Sequence, residues 1–121
     1  FHPVQEAAAR ALATDQAWIA RRNAIYQERM EIVIRALETA GIETTRPRAS
    51  LYVWAQVPQG WGSEKFALKL LERTGVVVAP GTFFGPAGEG YIRISVTAPK
   101  EQVQEAMDRL CNFVASGAFE D

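Results

Sequence analysis

Between Pro3 and Gly41 the chain contains neither glycine nor proline. A stretch of that length without a backbone breaker, and rich in alanine, is expected to be helical, and this constrains the fold more than any other feature. Alanines at positions 7, 8, 9, 11, 13, 17, 20 and 24 are strong helix formers. Pro3 is tolerated in a first helical turn, where its missing N–H costs nothing. The Thr14-Asp15 pair offers a cap for a second helix. The pattern predicts a helix over 4–13 and a long one over 15–40, with Gly41 supplying a left-handed stop.

The long helix carries one apolar stripe, Ile19, Tyr26, Met30, Val33, Leu37 and Ala40, at spacings of three, four and seven. A second set, Trp18, Ile25 and Ile32, lies beside it at spacing seven. Two stripes call for two bodies, so the second is expected to meet a partner domain or subunit.

The rest of the chain alternates strands and helices. Residues 51–57 read as a strand ended by Pro58, and residues 60–62 as a turn. Ser63 is the expected cap of a helix over 64–74, with Phe66, Ala67, Leu70 and Leu71 as its buried face. Residues 76–79 are a short apolar strand. Residues 80–90, with four glycines and two prolines, are a loop. Residues 91–96 form an alternating strand, and Pro99 opens a last helix to 115 that buries Val103, Ala106, Met107, Leu110 and Val114. The fold class is α+β: a small three-stranded sheet packed with helices, in which the strands at 76–79 and 91–96 can pair antiparallel.

Composition excludes several function classes. The 121 residues are one domain's worth, and 48% hydrophobic residues rule out disorder. Thirteen basic against fourteen acidic residues give a net charge of −1, which argues against a general nucleic-acid or anionic-membrane partner. Cys111 is the single cysteine, so no internal disulfide forms, and with His2 the single histidine no metal centre is expected. No apolar run reaches the roughly 20 residues of a membrane span. The chain opens at Phe1 without a methionine and is expected to be a fragment or a processed product.

Arg93 breaks the pattern of its strand. Ile92 and Ile94 share one face, and Arg93 and Ser95 share the other. A solvated outer face accounts for this. So does an anion site, since arginine offers a planar fork that matches a carboxylate bidentately, here on a well-fixed strand beside a glycine-rich loop. That loop lacks the lysine and helix of a phosphate-binding P-loop, and its Phe83 or Phe84 also fits the role of a packing anchor. Tyr52 and Trp54 share a strand face, which suits core packing, the commoner role, or a ligand platform. Lys65, Lys69 and Lys100 all fall on solvated helical positions, so none is placed to act as an amine nucleophile. Cys111 borders the last helix's apolar stripe and reads as a small, partly buried side chain.

The segment VVVAPGTFFGPAGEGYIRISVTAP, residues 76–99, resembles the C-terminal part of class I/II aminotransferases, pyridoxal-phosphate enzymes of the aspartate aminotransferase fold. The likeness extends over nearly the whole chain. QEAAARAL at 5–12 resembles the helix leading out of the family's large domain. Arg22, Tyr26 and Arg29 resemble a run in its long helix, and PRASLYVWAQVP at 47–58 its first small-domain strand. The wording is most similar to LL-diaminopimelate aminotransferases and their aspartate- or alanine-directed relatives.

The resemblance implies that residues 1–14 end a large domain or linker and that 15–121 form the small domain. It implies that Arg93 binds the α-carboxylate of an amino-acid substrate, with Phe84 and Tyr52 lining the cleft. It implies a cytoplasmic homodimer acting on an amino acid and a 2-oxo acid. Pyridoxal phosphate, the lysine that holds it and its phosphate cup would belong to the large domain, since no segment here resembles those motifs. No catalytic or cofactor residue is therefore expected in this chain, which alone would be inactive. Two other readings stand beside this one: a stand-alone domain that binds a small carboxylate through Arg93, and an interaction module that keeps only its helical interface.

Overall fold

The computed structural model describes residues 1–117. Helix α1 spans His2–Ala13 and helix α2 spans Ala17–Thr39. Between them the Asp15 carboxylate accepts from the Ala17 N–H at 2.9 Å, which satisfies one of the unpaired donors at the start of α2. Helix α2 stops as its glycine demands. Gly41 takes φ +70°, the Gly41 N–H reaches the Glu38 carbonyl, and the Ile42 N–H reaches the Leu37 carbonyl at 2.9 Å. Ile42 and Leu37 are both buried, so the capping bonds coincide with an apolar contact.

Strand β1 (Tyr52–Gln56), helix α3 (Ser63–Thr74), strand β2 (Ala79–Pro80), strand β3 (Tyr91–Ser95) and helix α4 (Lys100–Ala115) follow. The sheet order is β1-β3-β2, with both pairings antiparallel. Alternation decides its two faces. Val53, Ala55, Ile92 and Ile94 point inward and are buried. Onto them pack Val33 and Leu37 of α2, Phe66, Ala67 and Leu70 of α3, and Val103, Met107, Leu110 and Phe113 of α4. Phe66 meets Phe113 edge to face, ring centres 5.8 Å apart. All three helices cover one face, and the other is left open.

The structure corrects four expectations. Ser63 does not cap α3: it is the first helical residue, Gly62 holds the cap position, and Ser63 is fully buried as a donor. Leu71 is exposed, because the buried arc of α3 runs through Ser63, Phe66, Ala67 and Leu70 instead. Ala106 and Val114 are only half-buried, and Phe113 takes the deep position of α4. The apolar run at 76–79 is not a four-residue strand. The Val76 N–H turns back to the Thr74 hydroxyl, Val77 is 77% exposed, and ladder pairing begins only at Ala79.

Candidate functional site

The open face of the sheet holds what the buried face excludes. Trp54 lies directly across from Arg93 in the β1–β3 register, and Tyr52 lies across from Ser95. The Arg93 guanidinium carbon is 4.0 Å from the centre of the Tyr52 ring and 4.1 Å from the centre of the Phe84 ring. Arg93, Tyr52 and Phe84, singled out separately in the sequence, therefore form one contact cluster. Among the described residues, no carboxylate or other hydrogen-bond acceptor pairs with the Arg93 side chain. Its planar set of five N–H donors is left uncommitted.

Tyr52 and Trp54 are on the outside, which overturns the core reading of these two aromatics. Val53 and Ala55 occupy the inward positions of β1 and are fully buried against the helices. Trp54 meets the Phe84 ring edge to face at 5.4 Å and the Tyr91 ring at 6.4 Å. The Gln56 side-chain amide donates to the Tyr91 hydroxyl at 3.2 Å. Trp54 thus touches the same aromatic group as Arg93, a role its place in an alternating strand did not separate from core packing.

The loop between β2 and β3 reaches this face because it is folded tightly on itself. Residues Gly81–Phe84 and Pro86–Gly88 make two short 3-10 turns. Gly81 and Gly88 cross with their backbones in contact: a Cβ on Gly81 would lie 1.9 Å from the Gly88 carbonyl oxygen, and one on Gly88 2.0 Å from that of Gly81. Only glycine allows that approach.

Glu89 then pins the loop to α3. One carboxylate oxygen accepts from the Ser63 N–H at 2.8 Å and the other from the Ser63 hydroxyl at 3.2 Å. These bonds, the backbone one foremost, hold the Glu89 carboxyl below its ordinary value. The helix end that Ser63 was expected to cap is thus capped from 26 residues away. No local signal marks such a partner. Thr82 adds a hydroxyl bond to Glu64 at 2.8 Å.

Ser95 shares the open face of the sheet, its hydroxyl bonded to that of Thr97 at 2.9 Å, and other polar residues lie elsewhere. Lys65 sits over the Trp61 ring at 4.4 Å, and Lys100 pairs with Glu28. Arg29 lies over the Tyr26 ring and donates to the Thr97 carbonyl at 3.1 Å, tying α2 to the end of β3. The Cys111 thiol donates to the Ala36 carbonyl at 3.3 Å, and burial pushes its pKa up, as befits a packing residue. Among the described residues no cluster of His, Cys, Asp and Glu could hold a metal ion, and no helix is long and apolar enough to cross a membrane.

Comparison with known proteins gives this geometry a context. The family model "Aminotransferase class I and II" matches residues 1–110. An LL-diaminopimelate aminotransferase of Dehalococcoides mccartyi is 48% identical over 110 residues, covering 91% of this chain and 28% of that protein. The corresponding enzyme of Moorella thermoacetica is 43% identical over 119 residues, covering 98% of this chain and 30% of the relative. The solved structure of an aromatic aminotransferase from Pyrococcus horikoshii superposes with a TM-score of 0.88 at 34% identity, over 96% of this chain and 32% of that one. The chain thus spans less than a third of the length of these relatives. With the family model matching residues 1–110 and the backbone of a solved aminotransferase superposing over 96% of this chain, the chain belongs to the class I and II aminotransferases.

Proposed function

We propose that this chain is the small domain of a pyridoxal-phosphate-dependent aminotransferase, whose complete protein moves an amino group between an amino acid and a 2-oxo acid. The observation that carries the reading is Arg93. A guanidinium on the central strand, ordered by rings and left with free donors, is poised for a planar anion. In this role Arg93 grips the α-carboxylate common to all amino acids, and Phe84 and Tyr52 wall the cleft and exclude water from the ion pair.

The groups around Arg93 do not fit pyridoxal phosphate itself. The groups in contact with Arg93 are aromatic rings, the Ser95 hydroxyl on the same face is bonded to Thr97, Lys65 lies over Trp61 and Lys100 is paired with Glu28. The cofactor is therefore assigned to the large domain, no chemical step is assigned to this chain, and the chain alone is expected to be inactive. Residues 1–14 go with the large domain as its last helix or linker, and 15–121 form the small domain; in support, α1 buries none of its residues here. The amino donor is LL-diaminopimelate, as in the names of the relatives, or aspartate, as the sequence resemblance implies. A homodimer in the cytoplasm completes the reading.

The test is amino-group transfer by the complete protein, supplied with pyridoxal phosphate and offered LL-diaminopimelate, aspartate and alanine in turn with a 2-oxo acid. Transfer from at least one is expected. No transfer from any amino acid by a folded, cofactor-loaded protein overturns the reading.

A further inference from the structure

We infer that Tyr52, Phe84 and Trp54 are positioning residues for Arg93: Tyr52 and Phe84 orient its guanidinium by ring contact, and Trp54 braces Phe84 from the sheet. The inference rests on the reading of Arg93 as the carboxylate anchor and adds how that anchor is held.

A carboxylate or carbonyl that orients an arginine takes up some of its five N–H donors. Arg93 has no such partner among the described residues. Its guanidinium carbon instead lies about equally close to two ring centres, at 4.0 and 4.1 Å. Cation–π attraction acts through the ring face and consumes no N–H group. The side chain is thereby restrained before a ligand arrives, so less rotamer freedom is lost on binding, and the donor fork stays free for the ligand.

A ring holds a cation in place only if the ring itself is fixed. Tyr52 is fixed by its place on β1. Phe84 lies outside the strands and needs support. Trp54 supplies it through the edge-to-face contact at 5.4 Å, and Trp54 is flanked in turn by Tyr91. Behind Phe84, the Gly81–Gly88 crossing and the Glu89–Ser63 bonds fix the course of the loop.

The test uses the complete protein and two readouts. The first is the rotation rate of the Arg93 guanidinium by side-chain NMR, which needs no turnover. Phe84→Leu keeps an apolar side chain and removes the ring, and rotation should speed up; Phe84→Tyr restores the ring and should restore slow rotation. Trp54→Leu should speed rotation as well, and Trp54→Phe should recover most of that loss.

The second readout is kinetic. Phe84→Leu should raise KM for the amino acid by about three- to tenfold with kcat changed less than about twofold, because the carboxylate contact is made in ground and transition states alike. In an Arg93→Lys background the same change should add little, since an ammonium has no plane to orient. Unchanged rotation in Phe84→Leu overturns the inference. So does a KM penalty of equal size in the Arg93→Lys background, which would make Phe84 a direct substrate contact. If Arg93→Lys itself leaves kcat/KM intact while rotation still responds to Phe84, the anchor reading fails and the ring contact survives it.

Discussion

At Arg93 a positive charge rests on aromatic faces and keeps its donor edge clear, so charge and geometry can be separated by substitution. Arg93→Lys keeps the charge and loses the fork. In the complete protein this change should lower kcat/KM by about tenfold to a hundredfold, or about 1.4–3 kcal/mol, with cofactor binding nearly unchanged. Half-reaction kinetics on two amino acids of different side chain measure it, and wild-type efficiency on both would return Arg93 to the role of a surface residue. Glu89 makes a second residue-scale case. Its folded pKa lies below the ordinary 4.5, so the bonds to Ser63 stabilise the fold above that value and are lost as pH falls through the folded pKa. Glu89→Gln should therefore be less stable than wild type at neutral pH, and the gap should narrow as pH drops below about 4.5; urea midpoints at pH 7 and pH 3.5 decide, and a gap that widens in acid refutes the assignment. These two residues differ in how far the sequence exposes them. Arg93 stands out because it interrupts an apolar alternation. Glu89 stays hidden because its partner is 26 residues away, and alternation alone cannot say which face of β1 the helices cover, which left Tyr52 and Trp54 open.

The β2–β3 connection behaves as a small structural element of its own. Its shape depends on two glycines whose backbones touch, and a methyl group on either meets carbonyl oxygen, an atom that no side-chain rotation can move aside. Gly81→Ala and Gly88→Ala should each destabilise the domain by about 1–3 kcal/mol, the usual cost of forcing atoms into a packed site. Each should also raise KM for the amino acid, because Phe84 is displaced with the loop. Chemical denaturation and kinetics on the complete protein check this, and wild-type values for both would show that the loop tolerates an opened crossing. Loop composition marks this segment as irregular but gives no hint of the crossing, which depends on residues seven apart meeting in space. Similar reasons account for the errors in the regular elements. The run at 76–79 is apolar throughout, yet only Val76 and Val78 turn inward, and β3 offers pairing from Ala79 onward. Helical periodicity marks the faces of α3 and α4 but not their edges, where tertiary contacts decide: Leu71 stays exposed, while Phe113 is buried against Phe66.

Across the whole molecule the two stripes of α2 have different fates. Val33 and Leu37 are buried in the domain's own core, and Ile32 packs partly against it. Trp18 and Ile25 stay 49% and 50% exposed, and α1 adds Val4 and Leu12 to the uncovered apolar surface. The seven-residue spacing groups Trp18, Ile25 and Ile32 on one face, but periodicity does not say where along the helix the domain's own packing ends, and Ile32 falls on the near side of that point. Much of this apolar surface lies on α1 and the first half of α2, the part of the chain that contributes least to the core. Exposed apolar side chains of this size on two helices favour association unless another body covers them. The 121-residue chain, prepared alone, should therefore self-associate, with an apparent mass by light scattering that rises with protein concentration. Trp18→Glu combined with Ile25→Lys should reduce that association while leaving the thermal midpoint within a few degrees, because neither side chain belongs to the buried core. In the complete protein the same pair should instead lower stability, since it would place two charges in a covered interface. A clean monomer at millimolar concentration, or a doubly substituted complete protein as stable as its parent, would leave this face without a partner and detach the second stripe from the large domain.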